Sequence, residues 1–316
     1  MVHRYLHTPS HGSEPFADAF DEASEIQSNI IRSNGFRWFF SGPEFRRHMS
    51  VINNFINDYI DRALRLSPEE LATKTKSDAG YTFLHALASF TRDRTVLRDQ
   101  ILAVLLAGRD TTASTLSFAL YELARHPEVV AKMRREILTT VGEDGEPTYR
   151  DLKDMAYLKA VVNETLRLYP AVPYNMRVAL RDTTLPRGGG PDGSQPVGVL
   201  KGMVMGYSTY IMQRRADIYP PVSDTFADPN VFSPERWEHW HPKGHEYVPF
   251  NAGPRICVGQ QFALTEMAYV LCRMFQRYER VEGRMVGAPA ERPIIRTDLT
   301  IKPASPVLVA FFEPNK

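Results

Sequence analysis

The chain has 316 residues, 43% of them hydrophobic, and 38 basic against 37 acidic side chains, for a net charge of +1. That length suits one large domain or two ordinary ones, and near-neutrality points neither to nucleic acid nor to a strongly acidic partner. The two cysteines, Cys257 and Cys272, exclude a disulfide framework and a four-cysteine zinc site, and suit a reducing compartment. No apolar run approaches the roughly 20 residues that span a bilayer. Met1–Glu14 is polar, rich in His and Ser, and lacks the apolar core of a signal peptide.

Phe16, Phe20, Ala23, Ile26 and Ile30 recur at helical spacing and predict an amphipathic helix. Gly35–Gly42 interrupts it with Phe36, Trp38, Phe39 and Phe40. Aromatic-rich helix ends line a cavity, dip into a membrane surface or simply pack, and the residues alone leave all three open. A second helix carries Phe45, Met49, Ile52, Ile56, Ile60 and Leu64 on one stripe. The longest helical signal runs from Thr95 to about Ala124. Within it Ile101–Ala107 is apolar on every side, which predicts a helix buried all round. The next residues, Ala107-Gly-Arg-Asp-Thr-Thr112, set a glycine, costing a helix about 1 kcal/mol relative to Ala, before an acid and two hydroxyls. Read alone, the segment is either a functional interruption or an Asp-capped end. Leu116, Phe118, Leu120 and Leu123 resume the pattern and predict that the helix continues.

Pro127–Leu138 and Met155–Leu168 read as further helices. Glu164 and Arg167, at i and i+3, share a face and can pair, as many surface residues do. Ala171-Val-Pro-Tyr-Asn-Met-Arg177 is extended, because its flanking and internal prolines disfavour helix. Arg181–Gly198 reads as a loop, and no Lys-Ser/Thr follows its glycines to make a phosphate loop. Val197–Ser208 alternates and predicts a small antiparallel sheet. Leu299–Lys302 and Val307–Phe311, around Pro303-Ala-Ser-Pro306, predict a hairpin.

The chemistry concentrates in Phe250-Asn-Ala-Gly-Pro-Arg-Ile-Cys-Val-Gly259. Cys257 there precedes a helix-like run, Gly259–Tyr278, whose unpaired N–H groups and dipole favour a thiolate. Gly253 and Gly259 permit close approach of backbone to a bound group, and Arg255 suits a carboxylate. A lone cysteine in a turn is more often an inert core residue. The whole spacing Phe-x-x-Gly-x-Arg-x-Cys-x-Gly resembles the heme-binding loop of the cytochrome P-450 family. Five fixed residues in ten arise by chance in such a chain with odds on the order of 10⁻⁴.

Other segments extend the resemblance in family order. It implies that Cys257 is the proximal thiolate ligand of the iron of heme b, in a loop that includes Phe250, Gly253 and Gly259. It further implies that Arg255 and Arg177 meet heme propionates, and that Asp110 and Thr111 support proton delivery to dioxygen. Glu164, Arg167 and Arg236, the last from Phe232-Ser-Pro-Glu-Arg-Trp237, would form an ionic cluster supporting the heme from behind. Met212-Gln-Arg-Arg215 and Asp217 continue the likeness, while Pro220–Val231 is longer than the family's usual link. The turn near Ala304 and Ser305 would touch the substrate cavity.

The implied fold is mainly α with small antiparallel β-sheets, the C-terminal two-thirds of the cytochrome P-450 fold. Residues 1–316 would form a single incomplete heme-thiolate monooxygenase domain, without the N-terminal anchor and first helices. The implied activity is insertion of one oxygen atom of O2 into a C–H bond of a hydrophobic substrate. The wording of the Cys257 loop is most similar to fungal alkane and fatty-acid hydroxylases. Electrons would come from NADPH through a flavoprotein reductase, at the cytoplasmic face of the endoplasmic reticulum membrane. Arg273, Arg277 and Arg280 either attract such an acidic partner or form a solvated helix face. Three rivals remain. One is a non-catalytic truncated remnant that does not hold heme. A second is a heme-thiolate enzyme that rearranges peroxides, against which Asp110 and Thr111 argue. The third is a cysteine hydrolase, for which no histidine lies in a matching motif.

Overall fold

Helices form wherever apolar residues recur every three to four positions, and the strands fall in the glycine- and proline-rich intervals. The computed structural model describes residues 14–33, 42–73, 82–285 and 292–314. The aromatic run Phe36, Trp38, Phe39 and Phe40 lies outside these residues. Among the described residues the fold is mainly α with small antiparallel β-sheets. The chain divides into two compact units, Met1–Asp110 and Thr111–Lys316.

The first unit holds α1 (Glu14–Arg32), α2 (Pro43–Leu64), α3 (Pro68–Thr73), α4 (Phe83–Phe90) and the start of α5 (Arg94–Leu123). Its core takes Phe20 and Ala23 from α1 and Ile52, Ile56 and Ile60 from α2, the stripes expected from periodicity. The Phe16 ring stacks on Phe55, centroids 4.2 Å apart. Within α5, Gly108 does not break the helix. Ile101–Ala107, however, is not buried all round: Val104 and Leu106 are exposed. The stretch is apolar on every side, but among the described residues only Ile101, Leu102 and Leu105 are packed against the core. An apolar sequence specifies a demand for burial, and another surface must meet it.

The second unit is built on α6 (Pro127–Thr140), α7 (Tyr149–Asp154) and α8 (Ala156–Leu168). The short α9 (Thr209–Met212) and α10 (Arg236–His239) precede the long α11 (Gln260–Arg277). Met133 and Ile137 of α6, Leu158 and Val161 of α8, and Leu271 and Phe275 of α11 are completely buried against one another. The open N-terminus of α8 is closed from outside. The Glu136 carboxylate accepts from the Tyr157 and Leu158 amides at 2.9 and 2.8 Å, satisfying donors that no residue of α8 can reach.

Four two-stranded antiparallel sheets complete the described residues. β1 (Tyr174–Val178) pairs with β4 (Val204–Ser208). Between them β2 (Thr183–Gly189) and β3 (Gln195–Val199) form a hairpin. The expected loop at Arg181–Gly198 is therefore ordered strand, turned by Gly190 and Gly193 at φ 76° and 72°. The strands of Val197–Ser208 pair with separate partners rather than with each other. The C-terminal hairpin is also corrected. β7 (Ile301–Pro303) pairs with β6 (Ile295–Thr297), and β8 (Val309–Phe312) pairs with β5 (Arg280–Gly283). Pro303 and Pro306 cannot donate across a tight turn, whereas β5 offers β8 a four-residue ladder.

Candidate functional site

The Cys257 loop is shaped by its own backbone. The Cys257 amide donates to the Phe250 carbonyl at 2.8 Å, closing a loop over the residues between them. Inside it a 3₁₀ turn, Gly253–Arg255, is held by the Ile256 amide on the Gly253 carbonyl at 3.1 Å. Gly253 sits at φ 65°, where a side chain would be strained. The Phe250 ring packs against the main core and pins one end. At the other end α11 begins, and a Cβ placed on Gly259 would lie 3.9 Å from the Cys257 sulfur. The thiol thus rests beside the first turn of α11.

Cys257 is exposed, whereas Cys272 is buried, and burial pushes the Cys272 thiol up to about 11. The neighbours of Cys257 are unusual for a surface. Ile256 is 53% exposed, Val258 105% and Phe262 71%. Arg255 is exposed in the same turn. Among the described residues, no three of His, Cys, Asp and Glu gather to hold a bare metal ion. One thiol flanked by apolar side chains, with a guanidinium nearby, suits a metal already chelated by a large apolar ring that carries carboxylates. The residues present therefore fit a heme.

Asn251 was not among the residues that sequence reasoning singled out. It adopts φ 65°, the one positive-φ non-glycine among the described residues. Its side-chain oxygen accepts from the Tyr207 hydroxyl, and its amide donates to the Asn175 side-chain oxygen at 3.1 Å. Two residues along β1 from Asn175, Arg177 is half-buried, with its guanidinium 5.6 Å from the centre of the Tyr207 ring. The only sequence signal was a non-glycine in a loop rich in glycine.

The structure brings Glu164, Arg167 and Arg236 together with no exposed side-chain surface. Arg167 grips Glu164 with two bonds, Nε to Oε2 at 2.7 Å and Nη2 to Oε1 at 2.8 Å. Arg236 adds Nε to Oε1 at 3.3 Å. The Ser233 amide and the Trp237 indole also donate to this carboxylate, at 3.0 and 3.1 Å. Burial alone would push the Glu164 carboxyl up, but the two guanidinium groups outweigh it and hold it below the ordinary range. Two cations against one anion leave an excess positive charge. The carbonyls of Ala227, Asp228, Pro229 and Val231 meet it, and the Tyr219 ring lies 5.4 Å from both guanidinium carbons. The long link Pro220–Val231 is thus a wrapping for the two arginines. Gln213, completely buried, ties the α8 carbonyls of Leu166 and Arg167 to the Val248 amide.

Asp110 and Thr111 sit on α5, either side of the division between the two units. Both are half-buried. Arg109 reaches Asp110 at 3.4 Å while pairing with Asp21. The Thr111 carbonyl accepts from the Thr115 hydroxyl at 2.9 Å. Arg273, Arg277 and Arg280 each face an acid, Glu146, Glu313 and Glu282 respectively, so their charges are already met. A cleft of about 210 Å³ lies among α7, α8 and α11, floored by Leu152, Val162 and Ala268, and none of the predicted site residues lines it.

Known proteins point the same way. The sequence profile described as "Cytochrome P450" matches residues 11–304. The chain belongs to the cytochrome P450 family. It is 59% identical to "Cytochrome P450 monooxygenase pvhE" of Talaromyces variabilis, over 96% of this chain and 56% of the relative. It is 47% identical to "Cytochrome P450 52A1" of Candida tropicalis, over 84% of this chain and 49% of the relative. A "Cytochrome P450" of Arthroderma benhamiae is 43% identical over 87% of this chain and 55% of its own length. This cytochrome P450 chain spans about half the length of the curated relatives it matches. Among its described residues no helix is long and apolar enough to cross a membrane.

Proposed function

We propose that this chain carries the heme-thiolate half of a monooxygenase that inserts one atom of dioxygen into a C–H bond of a hydrophobic substrate, a fatty acid or an alkane. The observation that carries the reading is the exposed Cys257 thiol flanked by exposed Ile256, Val258 and Phe262. Exposed apolar side chains gathered around one thiol mark a surface for an apolar ligand, and a heme is such a ligand. The relative from Talaromyces is named a monooxygenase, which supports the reaction class. The likeness to fungal alkane and fatty-acid hydroxylases supports the substrate class.

Bound heme supplies the oxidising chemistry. Cys257, at the start of α11, would hold the iron through its sulfur. Arg255 and Arg177 would hold the carboxylates of the heme b ring by charge-assisted hydrogen bonds. Phe250 and Gly253 fix the loop's path, and Gly259 lets the sulfur lie close to the helix. Asp110 and Thr111 hold and pass protons to dioxygen, Asp110 through its carboxyl and Thr111 through its hydroxyl. Glu164, Arg167 and Arg236 keep α8 and the segment before Cys257 rigid. Electrons reach this chain from NADPH through a flavoprotein reductase, at the cytoplasmic face of the endoplasmic reticulum membrane.

The deciding experiment is the reduced, carbon-monoxide difference spectrum of the chain reconstituted with heme. A red-shifted, thiolate-type Soret band that vanishes in Cys257→Ala is expected. No heme uptake, or a thiolate band that survives Cys257→Ala, would refute the assignment.

A further inference from the structure

We infer that Asn251 is a positioning residue. Its amide locks the Cys257 loop to the β1–β4 ribbon, so that the thiol and Arg177 are held as one rigid body. The heme-thiolate reading enters only as the identity of what that body grips.

Backbone conformation gives the first reason. At φ 65° glycine is the residue of least strain, and a non-glycine there is uncommon. Asparagine tolerates the left-handed region better than most residues, and it brings an amide that glycine lacks. Both ends of that amide are used. The oxygen accepts from Tyr207 and the nitrogen donates to Asn175.

The register of the ribbon gives the second reason. Asn175 and Tyr207 are directly opposite each other in the β1–β4 pair. One side chain therefore bridges both strands at a single rung, so the loop can neither slide along the ribbon nor tilt away from one strand without losing a bond. Residues two apart on a strand share a face, so Arg177 stands on the Asn175 side of β1. Its guanidinium lies over the ring of the same Tyr207 whose hydroxyl binds Asn251. Tyr207 is thus common to both halves, held by the loop through its oxygen and by the arginine through its ring face.

The path to Cys257 is short, one peptide link and one hydrogen bond. Asn251 adjoins Phe250, whose carbonyl receives the Cys257 amide at 2.8 Å. The Asn251 backbone N–H in turn donates to the Val248 carbonyl at 3.1 Å, closing a turn just before the loop. Rotation of the 251 side chain out of the rung would free the base of the loop on which Cys257 rests.

The test uses the full chain, with Asn251→Gly, Tyr207→Phe and the double variant. Asn251→Gly keeps the left-handed backbone without strain and removes only the amide contacts, and Tyr207→Phe removes one hydroxyl. Neither change buries new volume, so folding should be preserved, and protection of the α8 amides serves as the check. The first readout needs no heme. Exchange of the Cys257 amide and alkylation of its thiol by iodoacetamide should each speed up by about tenfold in either single variant. The double variant should be no faster than Asn251→Gly, because the contacts act as one unit. The second readout is the rate at which reconstituted heme leaves the chain, which should rise in the same order. A Cys257 amide and thiol within about twofold of wild type in both single variants, or strictly additive effects, would overturn the inference. If the wild-type chain takes up no heme while the exchange effects appear, the positioning role stands and the heme-thiolate reading falls.

Discussion

Replacing Glu164 by Gln tests the energetics of the buried cluster directly. The carboxylate accepts from five donors: two of Arg167, one of Arg236, the Ser233 amide and the Trp237 indole. Glutamine fills the same volume but removes the single negative charge, leaving two guanidinium groups in a site with no exposed side-chain surface. Its NH2 also points donors at donors. Breaking a buried pair in this way costs about 3–5 kcal/mol, against a total of about 5–15 kcal/mol for a typical domain. That is a factor of roughly 10² to 10⁴ in the folded ratio. Arg236→Met should cost less, because Glu164 keeps its two bonds from Arg167 as a neutral pair and loses one 3.3 Å bond, beside the contacts to the carbonyls of Ala227, Asp228 and Val231. Urea titration followed by tryptophan fluorescence reads this unit, since Trp237 touches the cluster and Trp240 packs beside it; a Trp38→Phe background removes the third indole. The sign with pH is fixed by the lowered Glu164 carboxyl. Its contribution is complete above the unfolded value, about 4.3, and is lost as pH falls through the lower folded value. Glu164→Gln should abolish that acid-limb component. A loss below about 1 kcal/mol for Glu164→Gln, or a larger loss for Arg236→Met, would refute the reasoning.

Three further outcomes are expected. Glu122 is buried, and burial pushes its carboxyl up despite the 2.5 Å hydrogen bond from Tyr169 and a His126 ring nitrogen 3.6 Å away. A raised acid stabilises the folded state least when ionised, so stability should fall as pH rises from about 4.3 through the folded value. Glu122→Gln should flatten that decline and raise the urea midpoint at pH 8, and a lower midpoint with an unchanged slope would contradict it. Native chain should present one reactive thiol to Ellman's reagent and two in urea, because Cys257 is exposed and Cys272 is buried with its thiol pushed up to about 11; two rapid native equivalents would show that the core around Cys272 opens. Gly108→Ala should stabilise α5 by about 1 kcal/mol, since a Cβ there meets nothing within 4 Å, and a lowered melting temperature would mean that the space is needed for packing.

The sequence by itself determined the long helices α1, α2, α5, α6, α8 and α11, the Cys257 loop and the family, but not the short helices α3, α4, α7, α9 and α10. Their information is local: apolar spacing along α2 and α8, and five residues within ten positions around Cys257. Pairing of Glu164 with Arg167 was also legible, because i and i+3 face each other on any helix. The partners of the strands were not. Periodicity shows that a strand exists, but β8 chose β5 over its neighbour β7 through ladder length and the missing proline donors. Nor did the sequence show that the carbonyls of the Pro220–Val231 link would solvate two arginines, or that Asn251 would bridge the rung between Asn175 and Tyr207. Backbone carbonyls leave no mark on residue identity, and a three-residue contact among positions 175, 207 and 251 has no spacing to read. Only the folded chain brings such groups within hydrogen-bond reach, because that reach is set by distance in space and not by separation along the chain.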